Sequence, residues 1–157
     1  MKIEEGKLYL CAVMDLCGRL IVGYSFGSRM SNRLVQSALE SARLFAKKYD
    51  KLPENAILIH SDRGMQFRSG NHIQYLSENN MRPSMSKAYC PNDNACIESF
   101  FASLKCEYLY RFNLPSTDIA RKLANRYITF YNTVRVHQTI MDVPIDYWIR
   151  GGERVPF

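Results

Sequence analysis

Residues 55–67, NAILIHSDRGMQF, carry the pattern around which the fold is organised. The apolar run AILIH is typical of a short buried strand. The run ends at Asp62, which is followed by the turn-forming pair Arg-Gly. Open α/β sheets gather their ligands beyond the carboxyl ends of strands. Asp62 is therefore either an ordinary turn residue or one part of a site whose other parts lie elsewhere in the chain.

The segments on either side alternate between strand and helix periodicity. The first half is predicted to have two strands at 7–15 and 18–26, a helix at 31–49 capped by Ser31, and the strand at 56–60. A short helix at 69–80 and an extended piece at 81–86 follow. The rest is a long helix from about Asn94 to Tyr108 and a last helix after LPST, with Ile119, Leu123, Tyr127 and Tyr131 on one face. This order predicts the α/β class, with a mixed central sheet flanked by helices.

Composition limits the kind of protein. The chain has 157 residues, 46% hydrophobic and 23% charged, which fits one globular domain. Lys and Arg outnumber Asp and Glu by 21 to 15, and the net charge of +6 favours polyanionic partners. Five cysteines without a C-x-x-C pair, and three scattered histidines, argue against a disulfide framework or a zinc site. We therefore expect reduced thiols, and the lack of a long apolar run predicts no membrane partner.

A second acid lies on the helix predicted after the turn-rich loop. In NDNACIESFFASLKCE (92–107), the apolar residues recur at helical spacing, and Glu98, Ala102 and Lys105 form the stripe beside them. Glu98 and Lys105 therefore point the same way. Taken alone, these charges fit an ordinary solvated helix face.

Three separated stretches together carry a family resemblance. They are HSDRGMQF (60–67), SMSKAYCPNDNACIESFFASLKCE (84–107) and YITFYNTVRVHQTI (127–140), and thirty-five residues lie between Asp62 and Glu98. In this order and spacing they resemble the integrase catalytic core, and more narrowly the DDE-type transposases of bacterial insertion sequences, in the retroviral integrase superfamily. The resemblance covers nearly the whole chain. It implies a ribonuclease H-like fold and DNA strand cleavage and transfer, as in integration and transposition.

The resemblance also implies that Asp62 and Glu98 are catalytic metal ligands. The cofactor would be Mg²⁺ or Mn²⁺, with two ions in the complete enzyme. Carboxylates suit this role because hard divalent cations prefer oxygen ligands. Two ions about 4 Å apart can activate an attacking hydroxyl and stabilise the leaving oxygen.

The family signature has a third acid, on the first strand and several residues before the Gly-Lys pair seen here at Gly6-Lys7. That position falls before Met1. We therefore predict that residues 1–157 are a single core truncated within its first strand, inactive as given and with weak or absent metal binding. Asp15 could act as a substitute ligand, but it matches a different family position at the far end of the second strand, and a turn-capping role is the better prediction.

The resemblance suggests several DNA contacts. Lys105 matches a basic position that approaches the DNA end beside the active site, and Arg63, Gln66 and Lys87 are further candidates for phosphate contact. His137, in the segment resembling the family's Tyr-Asn…Arg-x-His, is interpreted as fixing the loop after the last helix rather than as a catalytic group. At Cys90-Pro91-Asn92 the chain departs from the Gly-Asn common in the family.

The implied partners are DNA, as transposon ends and target, and a second copy of the chain in at least a homodimer. The implied location is the bacterial cytoplasm, at the nucleoid. Two alternatives stay open: a non-catalytic DNA-binding or assembly module left from a decayed transposase, and a ribonuclease H-type nuclease. The spacing of the two acids and the stretch NDNACIESFF favour the transposase.

Overall fold

The strand predicted at 56–60 is present and is the fifth of six strands in chain order. The computed structural model describes residues 1–86 and 91–153. The strands of that part are β1 (Lys2–Ile3), β2 (Gly6–Lys7), β3 (Tyr9–Met14), β4 (Ile21–Gly27), β5 (Ile57–Ser61) and β6 (Met81–Met85). Its α-helices are α1 (Asn32–Lys48), α2 (Gly70–Glu78), α3 (Ala95–Ser103), α4 (Thr117–Thr133) and α5 (Pro144–Ile149).

Both strand senses occur, as the predicted mixed sheet requires. β1 pairs with β2 and β3 with β4 in antiparallel register, whereas β5 and β6 are parallel. In the described residues these ladders form three separate two-stranded sheets rather than one continuous sheet. Side chains of β3 and β5 pack against the same core cluster there.

β3 lies between the two main cores and alternates between them, as a half-buried strand should. One core contains Val35, Leu39, Leu76 and Met81, with Cys11, Val13, Ile57 and Ile59 packed against it. The other contains Ile21, Phe100, Leu104, Leu109, Tyr127, Ile128 and Tyr131, with Leu10, Ala12 and Met14 packed against it. β3 therefore connects the region of β5 with the region of α3.

Helix α1 begins as predicted, because the Ser31 hydroxyl accepts a hydrogen bond from the Leu34 amide at 3.3 Å. Its inner face, including Leu34 and Ala38, is buried. The helix approaches β4 closely at Gly23, where an added Cβ would lie 2.5 Å from the Ala38 carbonyl oxygen. This contact fixes α1 against the hairpin.

The long helix predicted from Asn94 to Tyr108 is divided. Its α-helical part ends at Ser103, and Leu104–Tyr108 is a π-helical turn. Asn94 holds the N-cap position, but its side chain makes no capping hydrogen bond. Wide turns of this kind often occur at functional sites.

The last long helix is also present, with one error in its predicted inner face. Tyr127 and Tyr131 are buried as predicted, but Ile119 is 40% exposed. Ala120 takes the inward position, because its small side chain lets the helix pack against Ile3 and Leu8. The helical spacing of large apolar residues gives no signal for a buried alanine such as Ala120.

Helix α5 was not predicted. Pro144 occupies its first position, where proline is well tolerated. Trp148 packs its ring 5.6 Å from Phe45 and 5.8 Å from Tyr49. Within residues 1–86 and 91–153, every helix is too short or too polar to cross a bilayer.

Candidate functional site

Asp62 lies directly after the carboxyl end of β5 and is exposed. One carboxylate oxygen, Oδ1, accepts a hydrogen bond from the Gly64 amide at 2.8 Å, so the turn role considered for this residue is real. An added Cβ at Gly64 would lie 2.9 Å from that oxygen and would also meet the Gln66 side chain. Gly64 thus lets the Asp62 and Gln66 side chains lie over the same turn.

A polar network holds the ends of β5 and β6 together behind Asp62. The two ring nitrogens of His60 lie 2.9 Å from the Ser84 hydroxyl and 3.1 Å from the Ser86 hydroxyl. The Ser86 amide donates to the Ser61 carbonyl at 3.0 Å, and Arg63 Nε donates to the Ser86 carbonyl at 3.0 Å. Arg63 is therefore anchored through its Nε to the end of β6.

Sequence reasoning did not identify His60, Ser84 or Ser86 as part of the site. The signal was present in the spacing: His60 is two residues before Asp62, and the serines are two residues apart on the neighbouring strand. Side chains at i and i+2 share one face of a strand. Because β5 and β6 are parallel, with His60 opposite Ser84, the three side chains meet.

Glu98 and Lys105 are exposed, with Ala102 between them, while Phe100 and Leu104 are buried. The predicted stripe therefore does face solvent. Glu98 is in the first turn of α3, where a carboxylate is favoured by the helix dipole.

The Glu98–Lys105 face is close to the start of the β1–β2 hairpin. The Met1 side chain packs against the core that contains Leu104, the residue before Lys105. Partial burial, together with the charge of Lys105, lowers the pKa of the Met1 amino group. Lys105 therefore lies beside the first residue of the hairpin.

Arg19 also contacts α3, which the sequence analysis did not anticipate. Its guanidinium contacts the Cys96 sulfur, two residues before Glu98. Burial and the charges of Arg19 and Arg135 lower the pKa of His137. Seventy-seven positions separate Arg19 from Cys96 in the chain, so no local pattern could have paired them.

An ion pair and a tyrosine hydrogen bond hold the π-helical turn in place. Arg135 contacts Glu107 through two nitrogens, one at 3.0 Å, and Tyr127 donates to Glu107 at 3.2 Å. The hydrogen bond from Arg135 holds the pKa of Glu107 below its usual value. Burial raises the pKa of Tyr127 to about 12.

Two residues considered from the sequence have structural roles. Asp15 Oδ1 accepts a hydrogen bond from the Gly18 amide at 2.7 Å and closes the turn between β3 and β4. His137 fixes the segment after α4, because its carbonyl accepts from Met141 at 2.8 Å and its amide donates to Asp142 at 2.8 Å. Both outcomes agree with the preferred predictions.

Asp62 and Glu98, the two predicted metal ligands, are both exposed. In residues 1–86 and 91–153, no hydrogen bond or ion pair joins Asp62 to Glu98, and no group of three His, Cys, Asp or Glu residues could hold a metal ion. The pairing of these two acids therefore stays a prediction. Lys87 lies outside the described residues.

Comparison with known proteins defines the class. The integrase core domain family matches residues 1–91, and a second integrase core domain profile matches residues 79–144. The chain belongs to the integrase core domain family. Among its relatives is the transposase InsF for insertion sequence IS3A of Escherichia coli (strain K12), 39% identical over 138 residues, which are 87% of this chain and 46% of the relative. The chain spans about half the length of the curated relatives it matches.

Solved structures confirm the fold. A chain of the simian T-cell lymphotropic virus intasome in complex with PP2A regulatory subunit B56 gamma superposes with a TM-score of 0.73 at 17% identity, covering 100% of this chain and 53% of that one. The catalytic core domain of BIV integrase gives a TM-score of 0.61 at 14% identity, covering 92% and 88%. The α/β fold is thus ribonuclease H-like, and the chain is an integrase core homologous to an IS3 transposase.

Proposed function

We propose that this chain is the catalytic core of a bacterial insertion-sequence transposase that cleaves DNA strands and transfers them to a target. Asp62 and Glu98 would hold Mg²⁺ or Mn²⁺ together with a third acid located before Met1. The observation that carries the proposal is the position of Asp62: exposed, directly beyond a parallel strand, and held by a turn on a strand pair that His60 and two serines lock.

The register of the hairpin supports a place for the third acid. Met1 and Leu8 exchange backbone hydrogen bonds of 2.7 and 3.0 Å, and Lys2 lies opposite Lys7. Continued in the same antiparallel register, a preceding strand would lie opposite the first half of β3. Residues directly opposite each other point to the same side. A carboxylate opposite Leu10 or Ala12 would therefore face α3, the helix that carries Glu98.

The chemistry assigned to these residues is binding and orientation. The metal ions, when bound, would activate the attacking hydroxyl and stabilise the leaving oxygen. Asp62 has oxygen capacity left, because an ionised carboxylate offers about four lone-pair sites and the turn uses one. Lys105, Arg63, Gln66 and Lys87 would hold phosphates of the DNA backbone.

The test is a nicking assay on supercoiled plasmid with Mn²⁺, using a chain extended upstream by one strand that carries an Asp opposite Ala12. We expect metal-dependent nicking that Asp62→Asn or Glu98→Gln lowers roughly 100-fold or more, since even residues that only support metal ligands are worth 10–100-fold. Asp50→Asn is the matched control. Asp50 is exposed, and its φ of 54° is a conformation that Asn tolerates.

Nicking that survives both substitutions would remove these acids from the reaction. An extended chain that binds DNA and never cuts it would favour the non-catalytic DNA-binding or assembly module. By analogy with its bacterial relatives, we also propose that the chain acts in the cytoplasm at the nucleoid, as a homodimer or larger assembly on paired DNA ends.

A further inference from the structure

A groove of about 450 Å³ separates the β1–β2 hairpin from the segment after the π-helical turn. It is lined by Lys2, Ile3, Glu4, Gly6, Lys7, Phe112, Asn113 and Leu114. The Glu4 amide donates to the Leu114 carbonyl at 3.0 Å, so the two walls are tied at one end. Phe112 is 45% exposed and supplies apolar surface to the groove.

The hairpin presents two like charges to this groove. Lys2 and Lys7 are directly opposite each other, both are exposed, and Ile3 is buried beside them. Like charges directly opposite on two strands are unfavourable. Neither lysine forms an ion pair with a residue in the described part of the chain. A bound phosphate would relieve the repulsion between the two ammonium groups.

The two acids of the hairpin keep their negative charges, but Glu5 is held at α4 and is not among the residues that line the groove. The Glu5 carboxylate accepts a hydrogen bond from the Thr117 amide at 3.1 Å, at the start of α4. It therefore serves as a cap for that helix. Glu4 does line the groove and is exposed, so it bounds the positive surface on one side.

Met1 links the hairpin to the face that carries Glu98 and Lys105. It pairs with Leu8 in the rung next to Lys2 and Lys7 and packs against the core that contains Leu104. The charge of Lys105 helps to lower the pKa of its amino group, so Lys105 is near the end of the hairpin that carries Lys2 and Lys7. Arg111 is exposed and precedes Phe112 in the sequence.

We propose that Lys105, Lys2 and Lys7 form one phosphate-binding track, along which the DNA backbone runs from the proposed active site into the groove beside Phe112. The proposal rests on the proposed DNA-directed function and adds to it a second contact surface and its path. The ligand class is the phosphodiester backbone of DNA, read without base specificity.

The test is fluorescence anisotropy of a labelled 30-base-pair duplex with the 157-residue chain, in EDTA so that metal plays no part. We expect Lys2→Gln with Lys7→Gln to lower affinity roughly tenfold near 0.1 M salt. The slope of log affinity against log salt should fall by about 2, because two phosphate contacts are lost at about 0.9 each. The control is Lys47→Gln with Lys51→Gln, which removes the same charge from exposed positions in the last turn of α1 and just after it.

Two further measurements keep the result independent of folding defects. Glu4→Gln should raise affinity roughly threefold, since it removes the one carboxylate that bounds the groove. In the unmodified chain, DNA should protect Lys2, Lys7 and Lys105 from acetylation, read by mass spectrometry, but not Lys47.

The outcomes separate the two proposals. Protection of Lys105 without Lys2 and Lys7, or equal losses for the hairpin and control variants, would overturn the track and leave the proposed active site untouched. Absence of any DNA binding at low salt would overturn the DNA-directed function and the track with it. If the extended chain binds DNA but does not nick the plasmid, the proposed metal site is contradicted and the track is not.

Discussion

Single atoms at the site serve structure and proposed chemistry together. The Asp62 oxygen that closes the turn onto Gly64 also holds the carboxylate in one orientation, directly beyond β5. A preoriented ligand loses less entropy when it binds an ion than a freely rotating one. Asp62 can therefore close the turn and act as the proposed metal ligand at the same time, and the turn supports the proposed role.

Tyr127 shows how a single buried hydroxyl couples stability to pH. Burial raises its pKa to about 12, whereas in the unfolded chain it would ionise near 10. The neutral phenol therefore contributes stability that is fully present below pH 10 and is lost as pH rises through 12. We expect Tyr127→Phe to remove roughly 1 kcal/mol of this alkaline loss, measured by urea unfolding at pH 9 and pH 11.

Tyr110→Phe is the control for this change, because it removes the same hydroxyl from a side chain that is 74% exposed. Tyr131 also has its pKa raised by burial, so part of the alkaline loss should persist in the Tyr127 variant. An identical profile for wild type and Tyr127→Phe would show that the phenol does not control alkaline stability.

Among the elements, α1 depends on one glycine. The Cβ of Gly23→Ala would lie 2.5 Å from the Ala38 carbonyl oxygen and 2.6 Å from the Ala42 Cα, both backbone atoms that cannot rotate away. The helix must then move off β4, and we expect a loss of about 3 kcal/mol in the free energy of unfolding, measured in urea.

Gly70→Ala is the matched control, since Gly70 is the first residue of α2 and an added Cβ there meets nothing within 4 Å. It should stabilise the protein by about 0.5 kcal/mol, through lower entropy of the unfolded chain. Similar losses for both glycines would contradict the close approach of α1 to β4.

Element types were predictable where one periodicity ran long enough to be unambiguous. The β3–β4 hairpin, α1 and α4 all follow from their apolar spacing, and Ser31 also marks the start of α1. The π-helical turn after Ser103 was not predictable, because its wider winding depends on tertiary contacts such as the Glu107–Arg135 pair. Helix α5 was missed because six residues are too few to show a period.

At the scale of the whole molecule, the sequence indicated Asp62 and Glu98 as candidate ligands, a pairing that stays a prediction, and gave no sign of the Arg19–Cys96 contact beside α3. Motif spacing is linear information, and it identifies residues that lie within recognisable stretches. The Arg19–Cys96 contact joins stretches that only the folded chain brings together. The same holds for the Lys2–Lys7 groove, whose second wall is more than a hundred positions away.

One side chain links α4, in the part of the chain that matches the second integrase core profile, to β4, in the part that matches the first. Asn132, on α4, accepts from the Ile21 amide at 3.0 Å and donates to the Ile21 carbonyl at 2.9 Å. Both residues are buried, so Asn132→Ala would leave two backbone groups without partners or water. We expect it to lower the free energy of unfolding by about 3 kcal/mol.

Urea unfolding followed by both fluorescence and circular dichroism measures this loss. The two signals should still change together, since α4 and β4 share one core and belong to a single cooperative unit. Asn125→Ala, an exposed position on the same helix, should change stability by less than about 0.5 kcal/mol. If Asn132→Ala behaves like Asn125→Ala, the clamp on Ile21 does not hold α4 to β4, and side-chain packing between α4 and the hairpin must do so without it.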